Sequence, residues 1–509
     1  MFFAEFIWLF ISLCFFNNST NNYNTITQLI CAFAMMMFLM GGYLLIQNIV
    51  TKKIKLRKII DEKFTLIFTV TMAVVFFVQV FYTYQFFAPP GWDCGNIITA
   101  SQLPNMNEDP YYSFYYSQYP NNLTLLLFFR IIHKIFLIFG ITNISFVLVI
   151  LNIIAVDCAI IFTVFIAKKI FSKKVAYIAL AFSILILGFS PWLIIPYSDT
   201  LSMPFIVGAI YFYFCIFSSK AIWKKVAFSA LMGITVSIGF CIKPTVIIIL
   251  IAAAITHILF TKIKKETLIH SVSILMVIVL SFSISSILLK AVTSNQKSIK
   301  IIENATTPMT HFFMIGMKKI PVGDKFFYGT YNLEDYKITF EVSDEVTYKI
   351  HRNTEEMKEI NIKEIKKRFN DFGVRGYIEF LNDKCRWITS EGIFFWGGEG
   401  SFVDWTKMHS KALYNLFCPD GSNFNLYLYF SQAMWIITMF CIVLPLIFKK
   451  VKSRNRLLFM LRLSIFGSIL FLLLFEGRSR YLINSLPLFI LLAAYGFNSI
   501  FDHDKIKFT

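Results

Sequence analysis

"LTLLLFFRIIHKIFLIFG", residues 123–140, decides how this chain is threaded. It is apolar enough to enter a bilayer, yet it carries Arg130, His133 and Lys134. A charged side chain at the centre of a spanning helix costs about 2.5–3.5 kcal/mol on insertion scales. If the segment crossed, the basic stretch "KKIFSKK" (168–174) would change sides. Laid along the interface, with its basic side chains snorkelling toward water, it keeps the basic clusters together. It therefore reads as an interfacial amphipathic helix. The alternative is a true span compensated by a re-entrant segment elsewhere.

Working outward, apolar runs cover roughly 2–16, 24–50, 64–88, 144–167, 175–196, 200–218, 226–242, 244–261, 269–290, 424–448, 457–475 and 481–500. At ~20 residues per crossing these predict about twelve transmembrane helices, the shortest being the least secure in length. The basic loops between them, "TKKIKLRKIIDEK" (51–63), "KKIFSKK", Lys220 with Lys224 and Lys225, "KIKK" (262–265) and "KKVKSRNR" (449–456), recur at every second connection. The positive-inside rule makes that side cytoplasmic.

Composition agrees. Of 509 residues 57% are hydrophobic, 58 are Phe and only 15% are charged; mean hydropathy is +0.65. The class is an all-α polytopic membrane protein. A net charge of +18 would suggest nucleic acid in a soluble chain; here the cytoplasmic loops account for it, and no RNA- or DNA-binding motif is present. The N-terminus "MFFAEFIWLFISLCFF" lacks a basic n-region and a small-residue cleavage site, and reads as a retained helix. The nine cysteines show no metal spacing. Most lie in apolar runs as packing residues, while Cys385 and Cys418 fall in one long polar stretch where they have the option of pairing.

The organisation expected is an N-terminal transmembrane hairpin (1–50), a membrane core (51–290) including an outer loop (89–140), a small α/β or mixed extracytoplasmic domain (291–423) and C-terminal transmembrane helices (424–509). About 130 polar residues at 291–423 far exceed an ordinary connection.

With this threading four polar motifs share the outer side: the lysine- and arginine-free loop "APPGWDCGNIITASQLPNMNEDPYYSFYYSQYPNN" (88–122), "PYSDT" (196–200), "CIKPT" (241–245) and "FEGRSRY" (475–481). Basic residues on that side have escaped the usual bias and invite a functional reading. Arg478, Arg480 and Lys243, with Tyr481, form a candidate phosphate-binding group, arginine as a fork and lysine as a point charge. The bland reading makes the arginines interfacial anchors or partners of Glu476. Asp93, behind a Pro-Pro-Gly turn and beside Trp92, reads either as a general base or as the cap of a helix starting at "CGNIITA". Asp199 has the same two readings. The tyrosines of 111–120, Tyr119 among them, suit sugar stacking and an interfacial belt equally. Glu108, Asp199, Tyr119, His311 and Glu476 are candidates to line the substrate path, as are Trp396 and Glu399; a folding role in the outer domain is the plainer reading for His311, Trp396 and Glu399.

The order and sidedness of these motifs resemble the GT-C superfamily of membrane glycosyltransferases, in particular bacterial relatives of protein O-mannosyltransferases (glycosyltransferase family 39) and of the aminoarabinose lipid A transferase. The resemblance rests on "GWDCGNI" followed by "YSQYPNN", on "YSDT", "IKPT" and "EGRSRYLINSLP", and on "THFFMIGMKK" and "DKCRWITSEGIFFW" in the long polar stretch. It covers most of the chain from residue 64 onward. It implies a GT-C-like bundle that takes a sugar from a polyprenyl-phosphate carrier on the outer face. It also implies Asp93 as base and Arg478 and Arg480 near the lipid phosphate. Two features depart from the family pattern: Asp93 is followed by Cys94 rather than by Glu, and a hairpin at 2–50 precedes the usual first helix.

The chemistry is coherent by itself. Cations aimed at a departing polyprenyl phosphate favour the transition state, and a carboxylate takes the proton of the attacking hydroxyl. Placed on opposite faces, these groups imply inversion. No cofactor is expected, and the sequence has no ligand-spaced His cluster and demands no divalent metal. Expected partners are the lipid-linked donor, an envelope polysaccharide, teichoic acid, lipid or protein acceptor, and membrane lipids. The expected location is the cell membrane, multi-pass, with an extracytoplasmic site. The rival functions are a transporter or flippase of lipid-linked saccharides, for which Asp157 is the main mid-span candidate, a polymerase of such saccharides, and a non-catalytic scaffold.

Overall fold

The computed structural model describes residues 2–16, 21, 23–53, 58–60, 62–261, 265–294, 298–341, 350–397, 408–448 and 455–501. Much of the basic loops 51–63, 262–265 and 449–456, and all of Glu399, lie outside the described residues.

Every apolar run forms a helix. Among the described residues nine helices are long and apolar enough to cross a membrane: Thr25–Lys52, Phe64–Phe86, Ser145–Ile170, Ser198–Ser218, Ile222–Ile242, Ser271–Ser294, Phe424–Ile447, Arg456–Leu474 and Ser479–Phe501. The other three runs are shorter. Phe2–Phe15 and Pro244–Phe260 are apolar helices below spanning length, and the run at 175–196 is helical over Lys173–Ser183 and then widens into a π-turn, Ile184–Gly188. The chain is a polytopic helical membrane protein. Its axis is the last helix, 89% buried, while Thr25–Lys52 and Ser271–Ser294 are 11% buried and form the rim. Gly496 lets the axis approach Phe424–Phe448 closely, because a Cβ there would sit 1.7 Å from the Cys441 carbonyl oxygen.

The deciding segment is a helix over Leu123–Leu137, shorter than any of the nine. Leu123, Leu125, Leu126 and Phe129 are buried, and the helix packs on Trp92–Gln102. Arg130 reaches out of the apolar face to donate to the carbonyls of Leu103 (2.9 Å) and Pro104 (3.3 Å). Its charge is met by backbone dipoles rather than by hydrocarbon, as an interfacial position requires.

Between the membrane helices lies a mixed layer. A helix, Met309–Gly316, leads into an antiparallel hairpin, Lys319–Val322 with Lys325–Tyr328. Leu333–Phe340 and the long helix Thr354–Thr389 follow, the latter opened by a capping box (Asn353, Glu356) and broken at Gly373 (φ 59°). The layer is held by Arg368, which grips both oxygens of buried Asp335 (3.0 and 2.5 Å) and the Met314 carbonyl (2.9 Å). It is sewn to the membrane helices by Lys384, wholly buried, whose ammonium donates to the carbonyls of Gly316 (2.8 Å), Leu473 (3.0 Å) and Phe475 (2.6 Å). Backbone bonds from Glu476 to Phe312 (2.8 Å) and from Gly477 to Gly329 (2.9 Å) complete the seam. All nine cysteines are free thiols, and Cys418 lies against Met408 rather than Cys385.

Candidate functional site

The first motif is a strained turn. Pro89, Pro90 and Gly91 deliver Trp92 at φ 51°, a left-handed value that non-glycine residues adopt at a cost. The helix Trp92–Gln102 is capped by Gly91 without a side-chain bond, so Asp93 is not its cap. Its carboxylate turns inward and accepts from the Tyr115 hydroxyl (2.6 Å) and the Tyr197 hydroxyl (3.4 Å). Tyr115 in turn accepts from Asn122 Nδ2 (2.7 Å). Burial and the Asp93 charge push the Tyr115 hydroxyl well above its usual pKa, which keeps it a donor at neutral pH.

The second motif is set by Asn152, whose amide donates to the carbonyls of Trp192, Leu193 and Ile195 (3.3, 2.9 and 3.2 Å) and fixes the approach to "PYSDT". Asp199 follows Ser198 into the helix and makes no cap, since Tyr197 is the N-cap and bonds no backbone N–H through its side chain. One Asp199 oxygen accepts from Lys243, and the other lies 3.9 Å from Arg480 Nε. Lys243 stands where Ile222–Ile242 ends and Pro244 begins the next turn.

The fourth motif closes the cluster. Ser479–Ser485 winds as a 3-10 helix beginning just after Arg478. Tyr481 donates to Glu476 (2.9 Å), and its ring lies under Lys243 Nζ (4.8 Å) and the Arg480 guanidinium (5.2 Å). Asn484, just after this motif, reaches Thr245 (3.2 Å) of the third motif and Ser202 (3.5 Å), just after the second. Arg478 packs over the Phe395 ring at 5.3 Å. Burial pulls the Arg478 pKa down to about 10, so it stays charged at neutral pH. Burial raises the Glu476 pKa, opposed by the Tyr481 hydrogen bond and by Arg480. The Asp93 charge acts on both Glu476 and Arg478, which puts all of them in one field.

The structure thus gathers Asp93, Asp199, Lys243, Glu476, Arg478, Arg480 and Tyr481, with three cations balancing three carboxylates. Tyr119 borders them, its ring 5.5 Å from Tyr115, and it also lies within the electrostatic reach of Tyr331 and Tyr336 of the mixed layer. Other candidates lie elsewhere. Glu108 is exposed and accepts from Asn105 (3.3 Å). His311 is 1% exposed and bonds Thr339 (2.7 Å), which bonds Asn361 (2.9 Å), inside the mixed layer. Trp396 donates to the Phe417 carbonyl (2.8 Å) in a packed aromatic group. Sequence reasoning missed Tyr115 and Tyr197 as the partners of Asp93. Tyr197 stands in the quoted "PYSDT", but nothing local says its hydroxyl points at residue 93. Among the described residues no group of three or more His, Cys, Asp or Glu is placed to hold a metal ion. Behind the Asp199 turn lies an apolar cavity of about 390 Å³ bounded by Leu187, Thr200, Met203, Phe394, Trp435 and Ile483.

The chain belongs to a family described as conserved hypothetical integral membrane protein, whose model matches residues 1–501. No curated protein is significantly similar to it. Among solved structures it is similar to an archaeal oligosaccharyltransferase, AglB from Archaeoglobus fulgidus, solved in complex with an inhibitory peptide and a dolichol-phosphate. The identity is 12% and the TM-score 0.38, over 85% of this chain and 50% of that one. The chain spans about half the length of that protein.

Proposed function

We propose, from the premise of this integral membrane family, that the chain is a GT-C-type glycosyltransferase that moves a sugar from a polyprenyl-phosphate carrier to an acceptor hydroxyl at the extracytoplasmic face. The observation that carries the reading is the convergence of Asp93, Asp199, Lys243 and Arg480, from four separate stretches of chain, in one cluster at the ends of membrane helices, with Asp199, Lys243 and Arg480 buried and Asp93 half-buried. Charges this far from water are costly unless they are used or paired. In this reading Asp199 holds Lys243 and Arg480 side by side, so that the cations meet the carrier phosphate already oriented. Arg478 adds a second guanidinium, and the apolar cavity behind Thr200 suits the first units of a prenyl chain.

Asp93 is the base. Its oxygens face phenol hydroxyls, which orient the carboxylate without taking its charge, whereas Asp199 is engaged with cations. The acceptor hydroxyl enters beside Tyr119, loses its proton to Asp93 and attacks the anomeric carbon, and the carrier phosphate leaves toward the cations. The mid-span acid Asp157 accepts from Gln79 (3.2 Å), which also donates to the Gly188 carbonyl (2.9 Å). That arrangement suits a brace for the π-turn better than a transport relay.

The test is binding of a polyprenyl monophosphate to the full chain in lipid nanodiscs. Replacing Arg478 and Arg480 together by Ala removes charge-assisted hydrogen bonds and is expected to weaken binding at least about tenfold. Unchanged binding overturns the proposal.

A further inference from the structure

Glu391 is 3% exposed and lies just after the long helix of the mixed layer, outside the cluster described above. Its two oxygens join two distant parts of the chain. Oε1 accepts from the Ser479 hydroxyl at 2.5 Å, and Oε2 accepts from the Asn21 amide at 3.0 Å. Ser479 is the residue between Arg478 and Arg480.

The turn that carries Glu391 is itself buttressed. Gln432 accepts from the Gly392 N–H (2.9 Å) and donates to the Ser390 carbonyl (3.0 Å) and to Gln28 Oε1 (3.1 Å). Gln28 donates to the Cys14 carbonyl (2.9 Å). Phe394 and Phe395 follow with φ of 53° and 63°, two successive non-glycine residues in the left-handed region. Strain of this kind persists only where the surroundings over-determine it. Here it sets the Phe395 ring against the Arg478 guanidinium.

We infer that Glu391 is a positioning residue for the Arg478–Ser479–Arg480 strap, and that the N-terminal hairpin supports it through Asn21 and Gln28. A buried carboxylate needs its acceptor capacity filled. Here one bond is spent on the residue between two arginines, so the strap is anchored at its midpoint and both guanidinium stems leave from a fixed point. Preorganisation of this sort lowers the cost of binding an anion, because the forks need not be ordered when it arrives. The ligand of the strap, a lipid phosphate, rests on the proposed function; the anchoring does not.

The two are separated by two measurements on the full chain in nanodiscs: hydrogen exchange of the peptide spanning 476–485 without ligand, and affinity for a polyprenyl monophosphate. Ser479→Ala removes the hydroxyl while leaving Glu391 and Asn21 in place, and Glu391→Gln weakens both bonds at once. In both variants exchange of the strap amides is expected to rise roughly tenfold and phosphate affinity to fall by a similar factor, with exchange in the membrane helices unchanged. Ser479→Thr keeps the hydroxyl and is expected to behave as the unmodified chain. If Glu391→Gln does not fold, Ser479→Ala decides alone. Unchanged strap exchange overturns the inference, and so does faster exchange with wild-type phosphate affinity. Faster exchange in a protein whose unmodified form ignores polyprenyl phosphate upholds the anchor and sinks the transferase reading instead.

Discussion

Asp199 faces two cations that reach it from different parts of the chain, Lys243 on one oxygen and Arg480 at 3.9 Å from the other. All three side chains are almost wholly buried. The carboxylate is the group that lets two positive charges share so small a space.

Removing it is therefore expected to cost more than removing either partner. Asp199→Asn removes the carboxylate that stands between Lys243 and Arg480, at about 3–5 kcal/mol. Lys243→Met leaves Asp199 with Arg480 and is expected to cost less, and adding it to Asp199→Asn should recover part of the loss. Thermal unfolding of the purified variants gives the order; Lys243→Met proving the more damaging would contradict this account.

Asp93→Asn keeps an acceptor for one phenol but cannot take a proton. Folding and polyprenyl-phosphate binding are expected to persist while turnover falls by about 10²–10⁴-fold. Because Gly91 is the helix cap, loss of capping cannot produce that result. Glu108→Gln, at an exposed position, is the control and should retain activity. Near-normal transfer by purified Asp93→Asn would remove Asp93 from the role.

Burial lowers the His311 pKa from 6.5 to about 4, against the pull of Asp335. The folded chain thus binds this proton less readily than the unfolded one. The stability held above pH 6.5 is expected to fall as the pH drops toward 4, by an amount of order 3 kcal/mol, and to level off below. His311→Gln should flatten that part of a stability profile measured by chemical denaturation. An unchanged slope between pH 6.5 and 4 would show that His311 is not its source.

The proposed threading puts 89–140 and 291–423 on one extracytoplasmic side. None of the native cysteines is exposed, so thiols introduced at Asn105 and Arg375, both exposed, can be read against a low background. An impermeant maleimide is expected to label both in intact cells. Labelling of either only after lysis would overturn the threading.

Much of this was legible because membranes write long patterns. Each apolar run is a helix, and the three basic residues within 123–140 marked a segment that stays short of a span. Lys243, Arg478, Arg480 and Asp93 were legible by where they stood relative to those runs. The partners were not. Tyr197 reaches Asp93 across 104 positions, Ser479 reaches Glu391 across 88, and Gln432 reaches Gln28 across 404. Such pairs leave no periodicity, and burial decides them only after helices have packed. His311 and Glu108 had a suitable residue type, but one lies in an interior network and the other faces solvent.

The seam made by Lys384 has a consequence for biosynthesis. Its carbonyl partners at 473 and 475 are made 89 and 91 residues after it, so the mixed layer emerges from the ribosome well before it can dock. Until the helix Arg456–Leu474 and the residues after it are in place, the Lys384 ammonium has no seat among the Leu473 and Phe475 carbonyls, and the Phe312 and Gly329 carbonyls lack the Glu476 and Gly477 N–H donors. Contacts this distant in sequence form late. Assembly of the charged cluster is therefore a final step, and a nascent chain stalled before residue 473 would present a folded periphery around an unfinished centre.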